Sequence, residues 1–127
     1  MVQIALADDH EMYTEYGSVS AVEDHNMAVI NDVETNYDFE FSDDLQFSIV
    51  EIYVATTESE DPWTNSTNIN QVLNDFTDWG PTGFSNTHDV AGLWSARQFN
   101  GDVIGLAWLN AVCTSVRYHV MEDWSSD

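Results

Sequence analysis

Histidine and carboxylate side chains are the groups in this sequence with the most scope for chemistry, and their spacing limits what that chemistry can be. A helical H-E-x-x-H motif places two histidines one turn apart to bind zinc, and its glutamate acts as general base on the zinc-bound water. His10-Glu11 begins this pattern, but position 14 is threonine. His119 begins the inverted pattern H-x-x-E-H, but position 123 is aspartate, and the remaining histidines, His25 and His88, begin neither. We therefore expect no zinc site and no catalytic residues within these 127 residues.

Two short acidic runs, residues 42–44 and 58–61, are the other candidates for binding a cation. A dedicated calcium loop alternates its oxygen ligands along the chain, because six to eight oxygens must converge on one ion. Neither run has that alternation. The sequence favours solvated acidic surface at both.

Three short apolar runs lie in the stretch from Thr87 to Trp124: Val90–Ala96, Val103–Val112 and Val116–Met121. The last run alternates apolar and polar side chains with the period of a strand. Asn100-Gly101-Asp102 is typical of a turn, since glycine tolerates positive φ and Asn and Asp bond their own backbone. This block predicts three strands with a tight connection between the first two.

Earlier in the chain, strands alternate with helices. Apolar periodicity predicts a strand at Val2–Ala7, a helix from Ser18 to Tyr37, a strand at Leu45–Val54 and a helix from Ile69 that ends at Gly80-Pro81. Interleaved helices imply parallel pairing through right-handed crossovers, and the tight connection implies an antiparallel pair. We predict one α/β domain over residues 1–127. It has a mixed, mostly parallel five-stranded twisted sheet with an antiparallel edge strand and two main helices.

The same residues resemble a known family, the reprolysin-like (adamalysin-type) zinc metalloproteases of the metzincin clan. The similarity lies in His88-Asp89-x-Ala91, Phe99-Asn100-Gly101, Ile104-Gly105-Leu106-Ala107, Cys113, Tyr118, the opening Ala7–Ser18 and the helical Val29–Tyr37. It implies that the chain is the N-terminal subdomain of a catalytic domain and stops before the zinc-binding helix. Zinc would then belong to the parent enzyme, and the C-terminal half of the domain would be a missing partner.

The resemblance also implies a substrate-binding strand. Ile104, Gly105, Leu106, Ala107 and Trp108 would form the edge strand that lines the cleft, and their backbone would pair with an extended peptide or protein substrate. The alternative is an ordinary sheet strand with Trp108 in the core. The sequence alone leaves both interpretations open.

Two further expectations depend on the family resemblance. A structural calcium site would use Asp89 and the position of Gln3, although glutamine offers one neutral oxygen and a solvated or capping Asp89 is the simpler interpretation. Cys113 is the one cysteine, which rules out an internal disulfide. In the family, the cysteine at this place pairs with one beyond the zinc motif.

Charge is the most unusual property of the composition. The chain has 23 acidic residues against two arginines and no lysine, a net charge of −21. Such a surface disfavours nucleic acid and anionic membranes. The acids are spread along the chain, which favours adaptation to high salt over a nucleic-acid mimic or calcium-rich surroundings. The sequence has no long apolar run and no signal peptide, and the parent protein is expected to be secreted.

Three functions are consistent with these observations. The first is the N-terminal part of a secreted zinc metalloendopeptidase, inactive by itself. The second is a non-catalytic module of the same fold that binds peptides or a partner protein, and the third is an acidic mimic of nucleic acid. If the zinc helix is absent, Trp94, Trp108 and Tyr118 are expected to form an exposed apolar face. Copies would self-associate through this face or through the unpaired edge at Gly105–Trp108.

Overall fold

A computed structural model describes residues 2–41, 47–63, 66–101, 105–107 and 117–122. Five strands are present: β1 (Val2–Asp8), β2 (Phe47–Val54), β3 (Val90–Ser95), β4 (Gly105–Ala107) and β5 (Tyr118–Glu122). The helices are α1 (His10–Tyr16), α2 (Val19–Phe41) and α3 (Ile69–Gly83), with a 3₁₀ turn at Glu58–Glu60. No helix among these ranges is long and apolar enough to cross a membrane.

The strands form one sheet in the order β2-β1-β3-β5-β4. Strands β2, β1, β3 and β5 are mutually parallel and make up the body of the sheet, with β1 between β2 and β3. The three-residue β4 pairs antiparallel with β5 at the end of the sheet. The predicted α/β class with a mostly parallel sheet is confirmed.

The structure has three helices and not only the two main ones that the sequence predicts, because α1 begins directly after β1. Asp9 has extended backbone and caps α1, where its Oδ1 accepts the Met12 N–H at 2.9 Å. Gly17 closes the helix at φ 89°, a left-handed conformation that costs glycine no steric strain, and its N–H reaches the Tyr13 carbonyl at 2.8 Å. Asp9 and Gly17 are therefore the capping residues of a third helix.

Helix α2 begins where the sequence predicts and extends further. Ser18 Oγ accepts the Ala21 N–H at 3.1 Å, which is the hydrogen bond of an N-cap. Asn26 interrupts the apolar stripe because it is fully buried and donates Nδ2–H to Asp8 Oδ1 at 3.0 Å. This hydrogen bond gives Asp8 Oδ1 a partner and offsets part of the cost of burying the asparagine amide.

The predicted end of α3 at Gly80-Pro81 is also wrong. The helix starts at an Asn68 cap and runs through Pro81 to Gly83, where the Phe84 N–H reaches the Gly80 carbonyl at 3.2 Å. Pro81 lies in the last turn, where the loss of one helical hydrogen bond is tolerated. Gly80 has a packing role: a Cβ there would come within 2.1 Å of the Tyr118 ring.

Apolar side chains cover both faces of the sheet. One face packs against α3 and centres on Phe76, Leu93, Tyr118 and Val120, and the other packs Leu6 and Trp94 against α1 and α2. Trp94 and Tyr118 are only 4% and 3% exposed. The predicted exposed apolar face is therefore wrong at both positions, because the helices already cover them. Trp108, its third member, lies outside the described residues.

Candidate functional site

The strand predicted to bind substrate lies at the end of the sheet. Gly105, Leu106 and Ala107 pair with Met121, Val120 and His119 of β5. No strand in the described ranges pairs with the other side of β4, so its outward backbone groups face away from the sheet. A strand with one unpaired side is a template for pairing with an extended chain. Ile104 and Trp108, the flanking members of the predicted set, lie outside the described residues.

His119 lies opposite the last described residue of β4. Burial lowers the pKa of its imidazole, which favours the neutral ring. The ring packs over Gly92 on β3, where an added Cβ would lie 2.5 Å from Nε2. His119 therefore has a tight packing role in the sheet, beside the candidate peptide-binding edge.

A buried polar cluster, made of Asp9, Glu11, Asp61, Ser95 and Arg97, lies where β1 and β3 end. The Arg97 guanidinium lies 3.3 Å from Asp9, 3.4 Å from Glu11 and 3.2 Å from Asp61. Ser95 donates its hydroxyl to Asp9 and accepts the Arg97 N–H at 3.0 Å. One cation thus joins the ends of two strands to α1 and to the loop before α3.

Two carboxyl groups of this cluster have strongly shifted pKa values. Burial raises the pKa of Asp9 from 3.8 to about 7, although hydrogen bonds from Ser95 and Met12 oppose the shift. Burial likewise raises the pKa of Asp61 to about 6, opposed by the His10 N–H and by Arg97. Perturbed carboxyl groups are common at functional sites and in structural ion-pair networks alike. Here every acid of the cluster contacts Arg97, which indicates a structural network.

The cluster was missed in the sequence analysis because its members are far apart in the chain. Asp9 and Ser95 are 86 residues apart, and Asp61 and Arg97 are 36 apart. One signal was available: a chain with two arginines has few ways to neutralise buried acids, so an arginine is a candidate for the place where carboxylates converge, as they do at Arg97.

The structure brings Gln3 and Asp89 together through the backbone. Asp89 Oδ2 accepts the Gln3 N–H at 2.8 Å, and the Asp89 N–H reaches the Gln3 carbonyl at the same distance. Calcium requires six to eight oxygen ligands, and this pair supplies at most a few of them. In the part of the chain that the structure describes, no three His, Cys, Asp or Glu side chains converge as metal ligands. The described residues do not fit a calcium site or a zinc site by themselves.

His88 is a hydrogen-bonded residue of the sheet rim. Its Nδ1 lies 3.0 Å from the Asn86 carbonyl, which can only accept, so this nitrogen donates. In the neutral ring Nε2 then accepts the Tyr118 hydroxyl at 3.2 Å. Arg117 donates to the His88 carbonyl. These contacts fix the wall of a cavity between the end of α3 and the start of β5.

The fold is shared with a solved structure described as "Structure of a chaperone-substrate complex". The superposition has a TM-score of 0.68 at 16% sequence identity and covers 98% of this chain but 20% of that chain. At this identity the likeness shows the fold alone. This chain spans a fifth of the length of that relative.

Sequence comparison identifies the family. The reprolysin-type model of metallo-peptidase family M12 matches residues 1–126, which is nearly the whole sequence. The match includes all five strands and the edge formed by β4. The chain belongs to metallo-peptidase family M12.

Proposed function

We propose that this chain is the N-terminal portion of a secreted zinc metalloendopeptidase and that β4 supplies its substrate-binding edge. The observation that carries the proposal is the position of Gly105–Ala107 at the end of the sheet, paired on one side by β5. The match to a metallopeptidase family supports a peptide as the ligand for this edge. Ile104 and Trp108 are proposed to extend the edge in both directions.

Binding at this edge would follow the chemistry of strand addition. An extended peptide aligned beside β4 satisfies its own N–H and C=O groups with the outward groups of the strand. The affinity of such a complex depends on the backbone hydrogen bonds. Neighbouring pockets would set any preference for particular side chains of the peptide. His119, on the inner side of β4, would help to fix the strand through its packing over Gly92.

Catalysis is proposed to need residues outside this sequence. The 127 residues contain no H-E-x-x-H, so the zinc of the parent enzyme would be held by another segment of the domain. By itself the chain is expected to bind peptide and cleave nothing. Calcium at Asp89 and Gln3 would likewise require ligands from elsewhere.

A non-catalytic binding module is the second candidate. The features that favour it are the position of β4 at the end of the sheet and the absence of H-E-x-x-H from the 127 residues. Such a module would dock a peptide, a partner protein or the edge of a second copy without any downstream catalytic segment. An open reading frame that continues into H-E-x-x-H-x-x-G-x-x-H supports the enzyme, and a natural stop at residue 127 supports the module.

Peptide binding is tested by titrating the chain with a mixed-sequence extended peptide and with the same peptide methylated on every backbone nitrogen. Methylation removes the N–H donors and blocks strand addition while it leaves the side chains unchanged. The proposal predicts binding of the first peptide and at least a tenfold loss for the second. Equal affinities, or no binding at millimolar peptide, would contradict it. Zinc-dependent cleavage by the 127 residues would contradict the proposed division of the domain.

A further inference from the structure

The two ends of β4 differ in the charge of the sequence around them. Gly105 pairs with Met121, so Glu122 at the end of β5 follows the partner of Gly105. Within three positions of Gly105 or Met121 along the chain are three acidic residues, Asp102, Glu122 and Asp123, and no arginine or lysine. Residues three positions apart are at most about 11 Å apart, backbone to backbone, which is close to the Debye length at 0.1 M salt. The Gly105 end of the proposed peptide-binding edge is therefore acidic.

The arginines do not reverse this charge. Arg97 already contacts three carboxyl groups of the buried polar cluster. Arg117 precedes β5 and so lies toward the Ala107 end of the paired strands. Even if each arginine neutralises one carboxylate, the excess of acidic side chains is the net charge of −21. This excess does not depend on which partners the arginines have.

Charge also selects among the possible occupants of the edge. A second copy of the chain carries the same net charge of −21, and an acidic peptide is likewise repelled. A cationic peptide is attracted, because opposite charges across an interface steer encounter and add to the backbone hydrogen bonds of strand addition. We propose that the peptide bound at β4 is cationic and that its lysine or arginine side chains lie at the Gly105 end. This inference rests on the proposed function, since the edge must first accept a strand.

The size of the expected preference follows from the geometry of strand addition. An added strand would lie about 4.8 Å from β4 and about 10 Å from β5. At about 10 Å in water, one pair of opposite unit charges changes the affinity about twofold before screening by salt. Several such pairs act together at low ionic strength, and at 1 M salt the Debye length of about 3 Å removes most of their effect. The preference should therefore be large at low salt and small at high salt.

The test uses three extended peptides of one sequence that carry lysine, glutamine or glutamate at the same three positions. Their affinities for the 127-residue chain and the amide exchange of Gly105–Ala107 are measured at about 0.01 M and about 1 M salt. At the lower salt we expect the lysine peptide to bind about tenfold more tightly than the glutamine peptide, and the glutamate peptide to bind more weakly still. At the higher salt the lysine and glutamine peptides should differ by less than about threefold. At both salts the bound peptide should slow amide exchange in β4.

The outcomes separate this inference from the proposed function. Equal affinities for the three peptides at low salt, each with slower exchange in β4, would support the edge and overturn the charge preference, as would a preference of the same size at both salts. A lysine peptide that binds without slower exchange at Gly105–Ala107 would be held by the acidic surface alone, which would also overturn the inference. A lysine peptide methylated on every backbone nitrogen keeps its charge and should not slow exchange in β4. No binding of any peptide would overturn the proposed function and this inference with it.

Substitution of the acidic residues gives a second arm. One variant neutralises the three at the Gly105 end, and its matched control neutralises three on α2, which packs at the β2 end of the sheet. The two sets of substitutions are Asp102→Asn/Glu122→Gln/Asp123→Asn and Glu23→Gln/Asp24→Asn/Asp32→Asn. Both variants lose the same amount of negative charge, but at low salt the first should lower the affinity of the lysine peptide about fivefold and the control less than about twofold. Equal losses would overturn the placement of the basic side chains at the Gly105 end. If the first variant does not fold, the three peptides on the unmodified chain still decide the charge preference.

Discussion

At the scale of single residues, Asp9 has the most consequences. It caps α1, accepts from Ser95 and pairs with Arg97, yet it is fully buried. A buried carboxyl group with a pKa near 7 binds a proton in the folded state that the unfolded chain has already released. Asp61, with a pKa near 6, acts in the same direction.

The sign of the resulting pH dependence follows from the two states of Asp9. Between about pH 4 and pH 7 the folded protein binds more protons than the unfolded chain, so the free energy of unfolding falls as the pH rises. Asp9→Asn keeps an N-cap acceptor and removes the titration. We expect chemical denaturation of the unmodified chain to show a loss of up to a few kcal/mol across this window, and a clearly smaller loss for Asp9→Asn. The exposed control Asp78→Asn should keep the original slope, and an equal slope in Asp9→Asn would contradict the assignment.

The residues also show how far the sequence could be interpreted. The start of α2 at Ser18 was predicted because helix capping is local, a matter of three or four neighbouring positions. The buried position of Asn26 in α2 could not be predicted in the same way, because its hydrogen-bond partner Asp8 lies 18 residues earlier in the chain. The cluster around Arg97 was not predicted at all, because its members meet only after β1 and β3 pair. Hydrogen bonds between neighbouring residues could be predicted from the sequence, and contacts that form only when distant strands pair could not.

At the scale of elements, the packing of α3 on β5 depends on one close approach. Gly80 faces the Tyr118 ring, and a Cβ there would be 2.1 Å from Cε1. The sequence predicts a helix end at Gly80-Pro81 because both residues have low helix propensity. The structure instead uses the glycine for contact with a neighbouring element. The packing of Gly80 against the Tyr118 ring thus outweighs the low helix propensity of Gly80 and Pro81.

This contact gives a prediction with a change of sign. Gly80→Ala should destabilise the chain by up to about 2 kcal/mol, since overpacking costs about 1–3 kcal/mol and the helix propensity of alanine returns about 1 kcal/mol. In a Tyr118→Val background the clashing ring atoms are gone, and the same Gly80→Ala change should be neutral or stabilising. The measurement is a double-mutant cycle by chemical denaturation. An identical cost in both backgrounds would show that the Tyr118 ring does not limit the position.

At the scale of the whole molecule, charge dominates. With 23 acidic and two basic side chains, like-charge repulsion opposes the compact state at low ionic strength. The Debye length falls from about 30 Å at 0.01 M to about 3 Å at 1 M salt, so molar salt should remove most of this repulsion. We expect the melting temperature to rise over that range. A flat or falling melting temperature would count against adaptation to high salt.

Self-association is also a property of the whole molecule. The sequence predicts a bare apolar face, but Trp94 and Tyr118 are covered by helices. Among the described strands none pairs with the side of β4 away from β5, so this edge could still join two copies. Sedimentation at high salt, where charge repulsion is screened, would detect such a dimer. The fully N-methylated peptide would not disrupt it, whereas the unmodified peptide should.

The central claim is that β4 is the edge at which a peptide is bound, and amide hydrogen exchange at Gly105–Ala107 tests it most directly. Outward N–H groups of an unpaired edge exchange quickly, and pairing with a peptide strand should slow them. We predict slower exchange at one or more of these three residues on addition of the extended peptide, no slowing with the fully N-methylated peptide, and no change in β2 at the other end of the sheet. Slowing in β2 with none in β4, or equal slowing by both peptides, would contradict the account.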